Sequence, residues 1–312
     1  MKYFRSYPWG MQLFMFLMMV VTMIGFVGSM AFALIPKFTP YNLAQLEKLL
    51  KVIDIHSPAA LINVSILLQG FFNLFIFLIP ALLFSYLAHP EPAKYLGFRK
   101  PGKWIQLVLV VFIMLGAMPI LQMTEEWISH IDFGASVKAS QAANDNITSA
   151  FLNMPTPATF IRTFIVIAII PAFGEELFFR GILMRFAKKK SRTMVAPILF
   201  TAAVFAYSHT NIYGYLSIFL AGVLLAVIYN LTGSLWCSIA AHLFFNGFQI
   251  VVSYLSKNNA VENNGGVPYY LVAIGAVVFG ISFYLLLKNK TPLPENWTDD
   301  FTEEELSQSA DI

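Results

Sequence analysis

The sequence predicts an all-α fold: a multi-pass transmembrane helical bundle of about eight spans, with N- and C-termini both cytoplasmic. Three observations carry the prediction. Of the 312 residues, 58% are hydrophobic and only 12% charged, about half the ~25% that a soluble domain carries. Eight apolar runs approach the ~20 residues that a helix needs to cross a bilayer. The basic residues are also shared unequally between alternate loops, which orients the spans.

The runs are 11–35, 60–87, 104–123, 158–184, 194–209, 214–230, 234–255 and 268–287. The first follows Lys2 and Arg5 and ends near Ala31-Phe32-Ala33, a pattern close to a signal peptide. It exceeds the usual 7–15-residue apolar region and other spans follow it, so it reads as a retained helix. The fifth run is the shortest. With eight spans and a cytoplasmic N-terminus, the inside segments hold Lys2, Arg5, Lys94, Arg99, Lys100, Lys103, Arg185, Lys188, Lys189, Lys190, Arg192, Lys288 and Lys290. The outside loops hold only Lys37, Lys48, Lys51, Lys138 and Lys257. Between the first two spans, Leu43, Leu46, Leu49, Leu50 and Ile53 recur at helical spacing around Lys48 and Lys51, which predicts a short amphipathic helix at the outer interface. Residues 124–157 read as a polar loop closed by Pro155 and Pro157. The tail 291–312 carries seven acids and no bases and reads as disordered and cytoplasmic. Thirty phenylalanines suit a lipid-facing exterior.

Composition also excludes functions. A net charge of +3, without basic and aromatic residues interleaved, gives no footprint for nucleic acid. The single cysteine, Cys237, excludes an intrachain disulfide.

Most spans hold no ionisable group, and the exceptions cluster. The fourth holds Glu175, Glu176 and Arg180, the fifth ends at His209, and the seventh holds His242. A charge at the bilayer centre costs about 2.5–3.5 kcal/mol on insertion scales, so such groups pair, face a cavity or line a substrate path. Arg162, near the outer end of its span, reads as snorkelling to the interface. Glu176 and Arg180 stand at i, i+4 with the acid first, the favourable order for a helical ion pair. Glu175 points about 100° away around the helix and has no local partner. His242 and Asn246 share a face at i, i+4, and Phe205 lies one turn before His209. Pro171 deprives the carbonyl of Ile167 of its helical donor and Gly174 follows, so the turn before Glu175 should be kinked or loosened.

These residue types fit hydrolysis by activated water. A carboxylate withdrawn from water suits a general base. Two imidazoles orient a water or, when neutral, bind a metal, and an amide donates to a developing oxyanion. Each residue also has a structural reading: Glu176–Arg180 as helix glue, either histidine as one buried hydrogen bond, Phe205 as packing, Asn246 as an interhelical bond. Their joint occurrence favours chemistry.

At these residues the sequence resembles a known family. Glu175-Glu176-Leu177-Phe178-Phe179-Arg180 matches Glu-Glu-x-x-x-Arg, Phe205-Ala206-Tyr207-Ser208-His209 matches Phe-x-x-x-His, and His242-Leu243-Phe244-Phe245-Asn246 matches His-x-x-x-Asn. These are the signatures of the CPBP family, formerly Abi: type II CAAX prenyl endopeptidases and bacteriocin-processing and immunity proteins. The resemblance covers roughly residues 158–255. It implies an intramembrane endopeptidase with a cavity open to the cytoplasm, in which Glu175 activates water, His209 assists, His242 and Asn246 form the oxyanion site, and Glu176 and Arg180 support them. It implies a peptide or protein substrate, free or membrane-associated, and a prokaryotic plasma membrane. No cofactor is expected, because the chain lacks a His-Glu-x-x-His helix. Zinc is the alternative, held by Glu175, His209 and His242. The chain then divides into N-terminal transmembrane helices (1–157), a catalytic core (158–290) and the acidic tail (291–312). The competing readings are a non-catalytic immunity or scaffold protein of the same fold and a proton-coupled transporter.

Overall fold

A computed structural model describes residues 3–38, 40, 42–50, 52–209, 211–256 and 266–301. Among them the chain is all-helical, and seven helices are long and apolar enough to cross a membrane. The helices in order are α1 (Trp9–Phe38), α2 (Leu43–Leu50), α3 (Ala59–Ala88), α4 (Pro92–Leu96), α5 (Ile105–Ser129), α6 (Ala135–Leu152), α7 (Pro157–Lys188), α8 (Val195–Tyr207), α9 (Tyr215–Thr232), α10 (Leu235–Leu255) and α11 (Tyr269–Lys288). The protein is a multi-pass membrane protein.

The short α8 corresponds to the fifth expected span. Its 13 residues reach only about 20 Å, against the ~30 Å of a bilayer's hydrocarbon core. Its neighbours nevertheless place it across the bundle. Arg185, at the end of α7, donates to the Trp297 carbonyl at 2.6 Å. The end of α9 lies beside the same C-terminal segment, where the Thr291 amide donates to the Leu231 carbonyl at 2.8 Å. Both ends therefore share one face, and the chain between them must leave it and return. Tyr213, beyond α8, packs on Phe133 at the far end of α5. The described ends of the chain also meet: Arg5 donates to the Asp300 carbonyl at 2.9 Å and Gln12 to the Asp300 carboxylate at 3.2 Å. They lie beside each other at one end of the bundle.

Three features differ from the sequence reading. The polar stretch 124–157 is not one loop, because α5 continues to Ser129 and α6 occupies Ala135–Leu152. Alanines favour a helix in α6, while its serines, asparagines and lysine give hydropathy nothing to detect. Only Ala150 of α6 is buried. Residues 291–301 of the expected tail are packed rather than free, with Trp297 7% exposed against Tyr229 and Lys189 bridging to Asp300 at 2.5 Å. Acid-rich composition missed this because it does not say that Asp300 meets Lys189 or that Trp297 and its neighbours' carbonyls find partners. Residues 302–312 lie outside the described residues. Finally, phenylalanine builds the core as well as the exterior. Phe16, Phe84, Phe178, Phe179, Phe186 and Phe205 are buried in one cluster joining α1, α3, α7 and α8. Lipid supplies no hydrophobic drive between helices, so close packing and ring contacts hold them together.

The amphipathic helix expected near Leu43 is present as α2, although the side chains of Leu43, Leu46 and Leu50 lie outside the described residues. Arg162, read as an interfacial residue, donates to the Asn63 side chain.

Candidate active site

Helix α7 carries the first motif, and its local sequence explains its shape. Thr156 and Thr159 form a reciprocal capping box, with Pro157 in the first turn, where it sacrifices no helical bond. The helix then widens twice into π turns, at Ile165–Ile169 and at Leu177–Leu183. The first precedes Pro171, which is the loosening that the missing proline N–H predicts. Glu175 and Glu176 sit between the two wide turns, an arrangement frequent at functional sites. A matching π turn in α3, Leu74–Leu78, precedes Pro80. The helices approach closely there: a Cβ on Gly174 would lie 3.4 Å from the Leu78 amide and 3.5 Å from the Asn73 carbonyl.

Glu176 is saturated. Arg180 Nη1 donates to its Oε1 at 2.7 Å, the His242 Nδ1–H donates to the same oxygen at 2.9 Å, and the Ser238 hydroxyl donates to Oε2. Arg180 also donates from Nη2 to the Gly222 carbonyl at 2.9 Å and stands 5.0 Å from the Phe205 ring centroid. Both partners of the ion pair are fully buried. Gly222 permits this approach, since a Cβ there would meet Phe205 Cδ1 at 3.1 Å and Ala202 Cα at 3.2 Å.

Glu175 is the opposite case. It is 6% exposed, its Oε2 has no hydrogen-bond donor, and that oxygen lies 3.8 Å from His242 Nε2. Because Nδ1 serves Glu176, Nε2 is the free nitrogen and the one that faces Glu175. A single water within about 2.8 Å of each atom can touch both. Glu176 offsets Arg180, so the buried pair adds no net charge to a medium that penalises unpaired charge.

The other expected residues are placed differently. His209 packs tilted against Phe205, with ring centroids 4.7 Å apart, and its Nδ1 meets the Phe205 carbonyl at 2.8 Å. It is exposed and forms no ion pair with either glutamate. Asn246, one turn beyond His242, donates from Nδ2 to the Ile167 carbonyl at 3.3 Å. Phe205 packs edge-on against His242 at 5.9 Å. The zinc alternative fits poorly: among the described residues no three His, Cys, Asp or Glu side chains converge as a ligand set. Glu175 and His242 offer two donors where a catalytic zinc takes three from the protein. A cleft of about 680 Å³ lies elsewhere, among Glu125, Glu126, Asp145 and Tyr213, and none of the motif residues lines it.

Sequence reasoning missed Ser238 and Gly222. Ser238 was detectable, because Ser238, His242 and Asn246 form one line at i, i+4, i+8. A glycine within the apolar run 214–230 signals close approach but does not name the partner.

No curated protein and no solved structure matches the chain. One family model does, over less than a third of its length and with all three motifs inside the matched region. Residues 157–248 match the family described as Type II CAAX prenyl endopeptidase Rce1-like, the family to which the motifs pointed, and the segment carrying Glu175, His209, His242 and Asn246 is Rce1-like in that sense.

Proposed function

We propose that the protein is an intramembrane endopeptidase in which Glu175 activates water to hydrolyse a peptide bond of a peptide or membrane-associated protein. The observation that carries this reading is the contrast between adjacent carboxylates: Glu176 holds three donors, while the buried Oε2 of Glu175 holds none and faces His242 Nε2 at 3.8 Å. A structural glutamate would be tied like Glu176. The family match supports the peptidase class.

In the proposed reaction Glu175 is ionised and His242 is protonated beside Glu176. Water attacks the scissile carbonyl carbon and gives a proton to Glu175, while His242 Nε2–H donates to the oxyanion. Collapse of the tetrahedral intermediate breaks the C–N bond, and Glu175 returns the proton to the leaving amine. His209, at the exposed edge of the group, assists at the water, and Asn246 Nδ2 retains a second N–H for the oxyanion. In this proposal no step uses a metal, and chelation tests that.

Unbiased cleavage profiling of the full chain in detergent, wild type beside Glu175→Gln and each with and without chelator, tests the reading. Cleavage by wild type that survives chelation and disappears in Glu175→Gln supports it. Unchanged cleavage in Glu175→Gln sinks the catalytic assignment, and loss on chelation sinks the metal-free one.

A further inference from the structure

Pro171 and Asn246 are far apart in sequence and meet at one atom. A regular helix would satisfy the Ile167 carbonyl with the N–H of residue 171, but proline has none. The chain around that carbonyl has widened into the π turn Ile165–Ile169. The Asn246 amide, half-buried on α10, donates to the same carbonyl at 3.3 Å. The helices are close enough for this short side chain to reach, since a Cβ on Gly247 would lie 3.0 Å from the Phe164 ring. Four residues separate Pro171 from Glu175 along α7, and one turn separates Asn246 from His242 along α10.

We propose that Asn246 is the positioning residue that replaces the backbone N–H missing at Pro171, clamping the opened turn of α7 to α10 and thereby setting the distance between Glu175 and His242. The bond joins the helix bearing the proposed base to the helix bearing its imidazole partner, beside the reacting atoms. A carbonyl left without a donor at this depth is costly, which holds the clamp closed. An amide suits the task because it has two N–H groups, so one can hold the carbonyl while the other remains free. The proposal deepens the peptidase reading and rests on it for the catalytic consequence. The clamp itself can be measured without any substrate.

The test compares wild type, Asn246→Ala, Pro171→Ala and the double variant as full chains in detergent. Backbone amide exchange over residues 165–176 and Tm are measured first. Asn246→Ala is expected to speed exchange across the turn and to lower Tm by about 3 °C or more. In the Pro171→Ala background the restored N–H makes the clamp redundant, so both effects should shrink to less than half, the non-additivity of groups sharing one partner. Equal effects in the two backgrounds overturn the proposal. The pH profile of turnover for one peptide from the cleavage profiling then separates the roles. A positioning residue shifts the acid limb of the profile on Asn246→Ala. A pure oxyanion donor, or a purely structural residue, lowers the profile without moving it, and an unmoved limb overturns the positioning role. Failure of the peptidase reading shows separately, as cleavage retained by Glu175→Gln, and leaves the exchange result intact.

Discussion

Two neighbouring glutamates with different partners must respond differently to the same substitution. Glu175→Gln keeps shape and volume and removes a charge that no donor holds, so Tm should stay near wild type while cleavage is lost. Glu176→Gln strands Arg180, whose other bond runs to the Gly222 carbonyl. Removing one partner of a buried pair costs about 3–5 kcal/mol, so this variant should lose yield and Tm first and activity as a consequence. Glu176→Gln with Arg180→Met removes the stranded charge and should recover part of the loss. Melting curves beside turnover of one peptide check all four proteins, and a Glu175→Gln protein as unstable as Glu176→Gln would contradict the division of roles. The Glu176–Arg180 pair was legible from i, i+4 spacing. His242 as the second partner was not, because 66 residues separate it from Glu176.

At the scale of elements, helix pairs are set by where backbones can touch. Helices α5 and α11 interlock through Gly116 and Gly275: a Cβ on Gly275 would lie 2.5 Å from Pro119 Cγ and 2.7 Å from the Gly116 carbonyl. On the same helix, Gly280 has nothing within 4 Å of that point. Gly275→Ala should therefore destabilise by about 1–3 kcal/mol, the usual cost of overpacking, while Gly280→Ala should be neutral or stabilise by up to about 1 kcal/mol through helix propensity. Tm measured for both in one detergent checks the contrast, and equal shifts would show that α11 does not seat on α5 in this register. Hydropathy located both helices but could not pair them. An apolar run reads the same whether it faces lipid or protein, and the share buried ranges from 11% in α1 to 44% in α9 and α10.

For the whole molecule, Arg5 and Gln12 meet Asp300, so the described ends lie beside each other, and the bias of basic residues in the loops leads us to expect that face in the cytoplasm. Reporter fusions after Arg192 and after Lys290 should both read cytoplasmic. Opposite readings would mean that α8 and the segment after it do not carry the chain across. Residues 291–301 close this face by holding Arg185 through the carbonyls of Trp297 and Asp299, so the C-terminal segment is an anchor of α7.

The sequence by itself determined that this is a helical membrane protein, where seven of its spans lie, which residues carry the motifs and which glutamate pairs with Arg180. Those properties follow from apolar run length, from the cost of charge in lipid and from the 3.6-residue period, all local to the chain. Only the tertiary structure decided that His242 lies between Glu176 and Glu175, that Ser238 and the Gly222 carbonyl complete the buried ion pair, and that Asn246 bonds the Ile167 carbonyl. Each of these contacts joins helices distant in sequence, and a short hydrogen bond across helices depends on the packing of backbones and glycines that no single helix's pattern contains.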